Sequence, residues 1–338
     1  MSLHTPLCDV LGVEYPIVQA PIGSATCPAL AAAVANAGGL GTLAVTWRDG
    51  PDARSAIRET RELTDAPIGV NIVLDERAKS IGTDTHLDAC LTEGVDVVSF
   101  SFGEAASYVD RVHDAGAIVT ETVGSAAEAR AAAETGVDIV VAQGWEAGGH
   151  VQSEVATMAL VPRVADAVPV PVIAAGGIAD GRGIAAAFAL GADGVWLGTR
   201  FLASEEANVH DAYRTRVAET DENETRYTEL FDKGWPEMAH RVVRNETVER
   251  WEDADRPAPG QRPGETDVVA EGEEAEPIER YDEALATPDV TGDIEAMALF
   301  AGQSAGLTNV TRPAGEIVAE LATEAAARIE TLTEPLDT

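Results

Sequence analysis

Cysteine and lysine are scarce in this chain of 338 residues. Its three cysteines, Cys8, Cys27 and Cys90, are odd in number and show no CxxC spacing, so we expect neither a disulfide framework nor a zinc site. Lys79 and Lys233 are the only lysines, and neither stands at the end of a strand-like run, where a Schiff-base aldolase would need one. These absences argue against a disulfide-rich secreted protein and against such an aldolase.

Long apolar runs are absent as well. No apolar stretch reaches the roughly 18 residues that a membrane-spanning helix requires. The first residues, Met1–Pro6, contain no basic region followed by an apolar one, so they do not resemble a secretion signal. We therefore expect a soluble cytoplasmic protein with no membrane partner.

Basic residues are greatly outnumbered by acidic ones. The chain has 23 lysines and arginines against 58 aspartates and glutamates, which gives a formal net charge of −35 at pH 7. Such a surface repels nucleic acid and anionic membranes, so we expect no nucleic-acid partner. Dense carboxylates keep a protein hydrated and dispersed in concentrated salt. Together with the near absence of lysine, they predict a halophilic protein.

Short apolar runs alternate with alanine-rich helical segments up to about residue 202. Several of these segments end in glycine, as in Asp114-Ala115-Gly116, which is a helix C-cap signal. Alternating strands and helices predict a parallel sheet, and eight such units match a small (β/α)8 TIM barrel, an α/β fold. The predicted strands are Ile17–Gln19, Leu40–Val45, Pro67–Leu74, Val95–Phe102, Ala117–Val123, Val137–Gly144, Val172–Gly177 and Gly194–Leu202.

A doubly wound open sheet is the alternative fold. Residues 39–44 have the glycine spacing of a dinucleotide-binding fingerprint, but they follow a helix and open a strand, which reverses the true motif. We therefore assign residues 1–215 to a barrel.

The character of the chain changes beyond the barrel. Residues 216–338 are interpreted as a C-terminal extension, partly irregular, that ends in a closing helix from about Pro313. Within it, residues 251–293 are rich in proline, glycine and acidic side chains, and they predict a solvated acidic loop.

Polar side chains and glycines follow directly on the apolar runs. In a TIM barrel the active site lies at the carboxyl ends of the strands, so these residues should meet there. The glycine turns after the seventh and eighth runs stand where such barrels bind phosphate through backbone N–H groups. The candidate segments are Gln19–Gly23, Asn71, Glu121-Thr122, Gln143-Gly144, Gly176-Gly177 and Gly198–Arg200.

The segment Val140–His150 leaves a predicted strand, passes through a glycine-rich loop and ends on a histidine. Glycine allows the backbone to approach a ligand closely, and histidine titrates near neutrality. His150 is therefore the candidate catalytic residue. A metal-dependent enzyme would need more ligands than His150, Glu121 and Glu146, so we expect no metal site.

Five motifs, in this order along the chain, resemble the nitronate monooxygenase (2-nitropropane dioxygenase) family of FMN-dependent TIM-barrel enzymes, which also includes the flavin-type enoyl-ACP reductases. They are Gln19–Gly23, Gly69–Asn71, Ala142–His150, Ala174–Gly181 and Leu197–Phe201, with a weaker match at Ala301–Gly306. One departure follows the histidine, where many members have a glycine and this chain has Val151-Gln152. That departure leaves the substrate preference open.

The resemblance implies an FMN site, with His150 beside the flavin and the substrate. The residues implied to bind FMN are Pro21, Ile22, Gly23, Asn71, Thr122, Gln143, Gly148, Gly176, Gly177, Trp196, Leu197, Gly198 and Thr199.

The resemblance also implies an activity. The leading hypothesis is oxidation of an alkyl nitronate, or of a nitroalkane, by dioxygen to a carbonyl compound and nitrite. His150 would act either as an electrostatic stabiliser or as a base. The alternative is an FMN-dependent enoyl-thioester reductase that uses NAD(P)H. An acidic acyl carrier protein would be repelled by this surface, which weighs against the alternative. The oligomeric state stays open.

Overall fold

A computed structural model describes residues 3–78 and 81–333, so Lys79 lies outside the described residues. Eight parallel strands form one sheet, and an isolated bridge between Val18 and Leu40 closes it by joining the first strand to the second. The predicted TIM barrel is confirmed. Its strands are β1 (Ile17–Gln19), β2 (Gly41–Ala44), β3 (Ile68–Val73), β4 (Val97–Ser101), β5 (Ile118–Val123), β6 (Ile139–Gln143), β8 (Val172–Ala175) and β9 (Gly194–Leu197).

The barrel strands are apolar because both of their faces are covered. Every residue of β1, β2, β3 and β4 is buried, so these segments read as continuous runs and not as alternating ones. The last predicted strand, Gly194–Leu202, was too long. It ends at Leu197, and Thr199–Leu202 forms a short helix.

Helices surround the barrel. They are α1 (Pro6–Leu11), α2 (Pro28–Asn36), α3 (Gly50–Leu63), α4 (Thr83–Thr92), α5 (Val109–Asp114), α6 (Ala126–Glu134), α7 (Thr157–Ala165), α8 (Gly181–Ala189), α9 (Thr199–Leu202), α10 (Asp211–Ala218), α11 (Glu246–Asp253) and α12 (Ala314–Thr333). None of the helices in the described parts of the chain is long and apolar enough to cross a membrane.

The C-terminal helix α12 closes the outer layer by packing against α8 and α2. The approach is close at Gly181, where an added Cβ would lie 2.4 Å from the backbone nitrogen of Ala325. The carboxylate of Glu324 also accepts a hydrogen bond from the N–H of Gly181. The predicted closing helix is confirmed, and it joins a late helix of the barrel, α8, to the first helix after β1, α2.

Two small antiparallel sheets lie beyond the barrel. One consists of β10 (Thr225–Thr228), β11 (His240–Val243) and β7 (Gly149–His150), so the extension pairs directly with the loop that follows β6. The other consists of β12 (Val268–Glu271), β13 (Pro277–Glu279) and β14 (Thr291–Gly292).

The second small sheet lies within the segment expected to be a solvated acidic loop. That segment also buries apolar side chains, among them Tyr281 and Ala286, so it contributes to the packed structure. Composition misled here because most of the acidic side chains in this segment point outward while a few apolar ones anchor the backbone. The division of the chain at residue 215 stays a prediction.

Candidate active site

A cavity opens at the carboxyl ends of the barrel strands. Of the residues implied to bind FMN, Leu197 alone does not line it, since its side chain is buried in the core. The strand-end candidates Gln19, Glu121, Gly144 and Arg200 do not line it either. The expected residues that the structure brings together around the cavity are Pro21, Ile22, Gly23, Asn71, Thr122, Gln143, Gly148, His150, Gly176, Gly177, Trp196, Gly198 and Thr199. Six loops that are distant in sequence therefore converge on one space.

His150 is held over the cavity by its backbone. It lies opposite His240 in the antiparallel pairing of β7 with β11. The side-chain amide of Gln143 donates a hydrogen bond to the carbonyl of His150 at 3.2 Å and accepts one from the N–H of Gln152 at 2.8 Å. Gln143 was expected to contact a cofactor. In the structure its amide is hydrogen-bonded to the backbone of the segment that carries His150 and holds that segment in place.

Aromatic rings enclose the imidazole of His150. The ring centroid of Trp235 lies 4.4 Å away, that of Phe300 5.5 Å and that of Phe102 6.4 Å. Trp235 is fully buried, and its indole N–H donates to the carboxylate of Asp75 at 3.1 Å. The imidazole therefore sits in a compartment that is apolar on most sides.

Glu283 is the ionisable neighbour of His150 in this compartment. Its Oε2 lies 3.2 Å from the Nε2 of His150, and both side chains are largely buried, with exposed fractions of 14% and 12%. The two atoms are close but not aligned for a hydrogen bond, so neither has a hydrogen-bond partner among the described residues. His150 and Glu283 are also the only titratable side chains among the described residues that line the cavity. An imidazole nitrogen and a carboxylate oxygen thus lie side by side, each free to bond to a third group.

His240, behind His150, is bonded as a neutral imidazole. Its Nδ1 donates to the carbonyl of Met238 at 2.9 Å, and its Nε2 accepts from the N–H of Phe231 at 3.3 Å. Burial, and then the positive charge that His150 can carry, lower the pKa of His240 to about 3. His240 is therefore held neutral by its burial behind His150.

The opposite side of the cavity is built from backbone. Gly176 and Gly177 have φ values of +105° and +74°, a left-handed conformation that glycine adopts without strain. An added Cβ on Gly177 would lie 3.3 Å from the Cβ of Glu146. Helix α9 begins at Thr199 beside this turn, whereas the N-terminus of α8 is already capped by the carboxylate of Asp180. An anion here would meet the glycine turns and Thr199 and not the end of α8.

The loop after β6 is locked by a crossing of two glycines. A Cβ on Gly148 would lie 2.3 Å from the backbone nitrogen of Gly302, and one on Gly302 would lie 2.8 Å from that of Gly148. The N–H of Gly302 donates to Thr199 Oγ1 at 2.9 Å, and the N–H of Gln303 donates to the carbonyl of Glu146 at 3.0 Å. This contact explains Gly302 in the weaker motif at 301–306, whereas Gly306 packs against Glu222.

The carboxylates weighed as metal ligands have structural partners. Glu146 accepts hydrogen bonds from the backbone and hydroxyl of Thr157 at the start of α7, and Glu121 accepts one from the N–H of Ala105. Across the described ranges, no three histidine, cysteine, aspartate or glutamate side chains are grouped to hold a metal ion.

Several lining residues were missed by the sequence analysis. Trp235 was not among the candidate residues, and Glu283 lies within residues 251–293, which were interpreted as a solvated acidic loop. No local pattern marks either one, because they reach the site by long-range packing. The other missed residues include Trp47, Ser101, Phe102, Leu285 and Phe300.

The chain is similar to known proteins in sequence and in fold. The family model described as nitronate monooxygenase matches residues 4–81 and 76–324. A probable nitronate monooxygenase from Staphylococcus aureus (strain MSSA476) is 32% identical over an aligned length of 356, gaps included. The alignment covers 93% of this chain and 95% of that protein. A (3aS,4S,5R,7aS)-5-hydroxy-7a-methyl-1-oxo-octahydro-1H-indene-4-carboxyl-CoA dehydrogenase from Mycobacterium tuberculosis (strain ATCC 25618 / H37Rv) is 41% identical over 259 residues, covering 76% of this chain and 70% of that protein.

Two solved structures match almost the whole chain. FabK from Thermotoga maritima superposes with a TM-score of 0.83 at 36% identity, covering 97% of this chain and 98% of that one. The nitroalkane oxidase from Streptomyces ansochromogenes superposes with a TM-score of 0.78 at 30% identity, covering 97% and 99%.

Proposed function

This chain belongs to the nitronate monooxygenase family, and on that premise we propose that it is an FMN-dependent oxidoreductase that oxidises alkyl nitronates. Dioxygen is the co-substrate, and the products are a carbonyl compound and nitrite. The observation that carries the proposal is the pairing of His150 with Glu283 inside an aromatic compartment at the barrel mouth.

The residues present fit a flavin mononucleotide. The left-handed turn at Gly176-Gly177 and the start of α9 at Thr199 form a cradle that side chains would fill, and they offer backbone N–H groups to one phosphate. No lysine or arginine is among the described lining residues, so the phosphate charge would be met by backbone dipoles. On the other side, Asn71 and Thr122 offer hydrogen-bonding groups to a polar ring edge. FMN, when bound, supplies the electron acceptor that the reaction requires.

The chain's own residues prepare the substrate site. A nitronate is a small anion, and the imidazole of His150 is the one group lining the described cavity that can become a cation. Trp235, Phe102 and Phe300 exclude water around it, which strengthens the attraction between imidazolium and substrate.

A second candidate is a flavin-dependent reaction on an acyl thioester, either enoyl reduction or dehydrogenation. The similarity of this chain to FabK and to the carboxyl-CoA dehydrogenase favours this candidate. Against it, the described cavity lining offers no basic side chain to the phosphates of such a carrier, and the net charge of −35 repels an acidic carrier protein.

The two candidates separate in one experiment on purified protein in molar KCl. We expect denaturation to release FMN and not FAD, and we expect propyl nitronate to yield nitrite in air. Under anaerobic conditions NADH and NADPH should leave the flavin oxidised. Rapid reduction by either nucleotide, without nitrite from nitronates, would replace the leading proposal with the thioester reductase.

His150→Asn tests the catalytic residue. Asparagine retains a polar side chain but cannot become cationic, and help of this kind is worth about 10²–10⁴ in rate. We expect the variant to retain FMN and to lose at least about tenfold in nitronate turnover, a cautious bound set below that range. His113→Asn is the matched control, because His113 is exposed and pairs with Asp138 far from the cavity. Wild-type turnover in the His150 variant would remove this residue from the mechanism.

A further inference from the structure

Glu283 belongs to the most acidic part of the chain, yet its carboxylate is turned inward. Its exposed fraction is 14%, whereas Glu273, Glu274 and Glu276 in the same segment are exposed. Burying a carboxylate costs free energy unless a partner compensates for it. The neighbouring group is His150, at 3.2 Å between Oε2 and Nε2.

The backbone around Glu283 is built to hold it there. Its N–H donates to the carbonyl of Lys233 at 3.2 Å. The backbone of Lys233 also forms an isolated β-bridge with that of Asp282. Gly234, at φ +120°, has no side chain, and a Cβ there would lie 2.5 Å from Glu283 Oε1. A larger residue at 234 would displace the carboxylate from His150.

The charged groups around the pair have other partners. Asp75, which reaches the compartment through Trp235, is paired with Arg77, and hydrogen bonds from Arg77 hold the pKa of Asp75 at about 2. Lys233 pairs with Glu279. Asp282 accepts from the N–H of Glu279, and burial raises the pKa of Asp282.

The remaining titratable neighbour is His240, which is neutral near neutral pH. Glu283 is therefore the only unpaired charge that faces His150 among the described residues.

We infer that Glu283 is the positioning and charge partner of His150, and that its carboxylate keeps the imidazole protonated for an anionic substrate. This inference rests on the proposed nitronate activity for its purpose, but not for its test. The unaligned Nε2 and Oε2 leave the imidazolium N–H free to turn toward a substrate oxygen. In a protein of net charge −35, the acidic segment thereby supplies the one carboxylate that stabilises the His150 imidazolium.

The test is the titration of the His150 imidazole by NMR in histidine-labelled, full-length protein, assigned by comparison with His150→Asn. Glu283→Gln keeps the side-chain shape and removes the charge. An opposite charge within about 4–6 Å shifts a titration by about 1–3 pH units, so we expect the midpoint to fall by at least about one unit. Glu273→Gln, which removes an equal charge from the exposed part of the segment, should leave the midpoint in place.

Turnover gives a second readout. In Glu283→Gln the upper pH limit of nitronate oxidation should fall with the imidazole midpoint, and the KM for nitronate should rise more than kcat falls. Glu283→Asp keeps the charge at a greater distance, and it should give an intermediate midpoint if the glutamine variant does not fold. An unchanged midpoint in folded Glu283→Gln or Glu283→Asp would overturn the inference. A wild type that makes no nitrite would overturn the proposed function alone, because the NMR titration does not depend on activity.

Discussion

Acid should lower the free energy of unfolding of this protein, and one buried residue, His240, should contribute a measurable share of that loss. The imidazole is fully buried, and both of its nitrogens are used by backbone groups in the neutral form. Protonation of Nε2 would break the bond from the N–H of Phe231 and would place an unsolvated cation behind His150. The folded protein therefore resists taking up a proton that the unfolded chain accepts.

The magnitude follows from the two pKa values of His240. Its ordinary pKa is 6.5, and in the folded protein the pKa is about 3. Between these values the unfolded state binds more protons than the folded state, so stability falls as the pH drops. Summed from about pH 7 to about pH 5, the loss assigned to this residue is about 2 kcal/mol, at about 1.4 kcal/mol per pH unit below the ordinary pKa.

The assay is urea unfolding in molar KCl at both pH values, followed by tryptophan fluorescence. Carboxylates also titrate in this range, so the measured quantity is the difference between wild type and His240→Gln in the loss of unfolding free energy. We expect wild type to lose about 2 kcal/mol more than the variant over this interval, with equal urea m values. Equal losses in the two proteins would show that His240 is not held neutral, and the argument from burial would fail.

Two further predictions concern the loop crossing and the surface charge. Gly148→Ala would place a Cβ 2.3 Å from the backbone of Gly302, so we expect thermal unfolding to report a loss of about 1–3 kcal/mol or more and FMN affinity to fall. Gly82→Ala, where a Cβ meets nothing within 4 Å, should change stability by less than about 0.5 kcal/mol, and equal effects would contradict the crossing. Raising KCl from about 0.1 to about 1 M shortens the Debye length from about 10 to about 3 Å, so the melting temperature should rise. A flat or falling melting temperature would contradict the halophilic interpretation.

The barrel could be predicted because its signals are local. Buried parallel strands need apolar residues on both faces, so segments such as Ile68–Val73 stand out in the sequence. Helix-ending glycines such as Gly116 and Gly191, both at positive φ, mark where each strand follows. The overrun past Leu197 has a similar origin, since Phe201 and Leu202 in the short helix Thr199–Leu202 are apolar and extend the run.

The candidate site could be predicted only on the barrel side. Residues at strand ends, such as Asn71 and Gly176, lie near the cavity by the geometry of any TIM barrel. Trp235 and Glu283 reach it through the pairing of β11 with β7 and through the fold of the acidic segment, and no periodicity encodes those contacts. Local composition predicted solvation for residue 283, whereas tertiary packing buried it.

The contact of Gly148 with Gly302 forms late in synthesis, because Gly302 is translated long after the loop that bears His150. Synthesis delivers the last barrel strand, ending at Leu197, well before Glu283 and Gly302 emerge. N-terminal parts of a chain fold first during translation, so a barrel can close around its glycine turns while the loop bearing His150 is still untethered. The histidine acquires its carboxylate and its aromatic walls only near the end of translation. We therefore expect a chain that ends before Glu283 to lack the carboxylate beside His150.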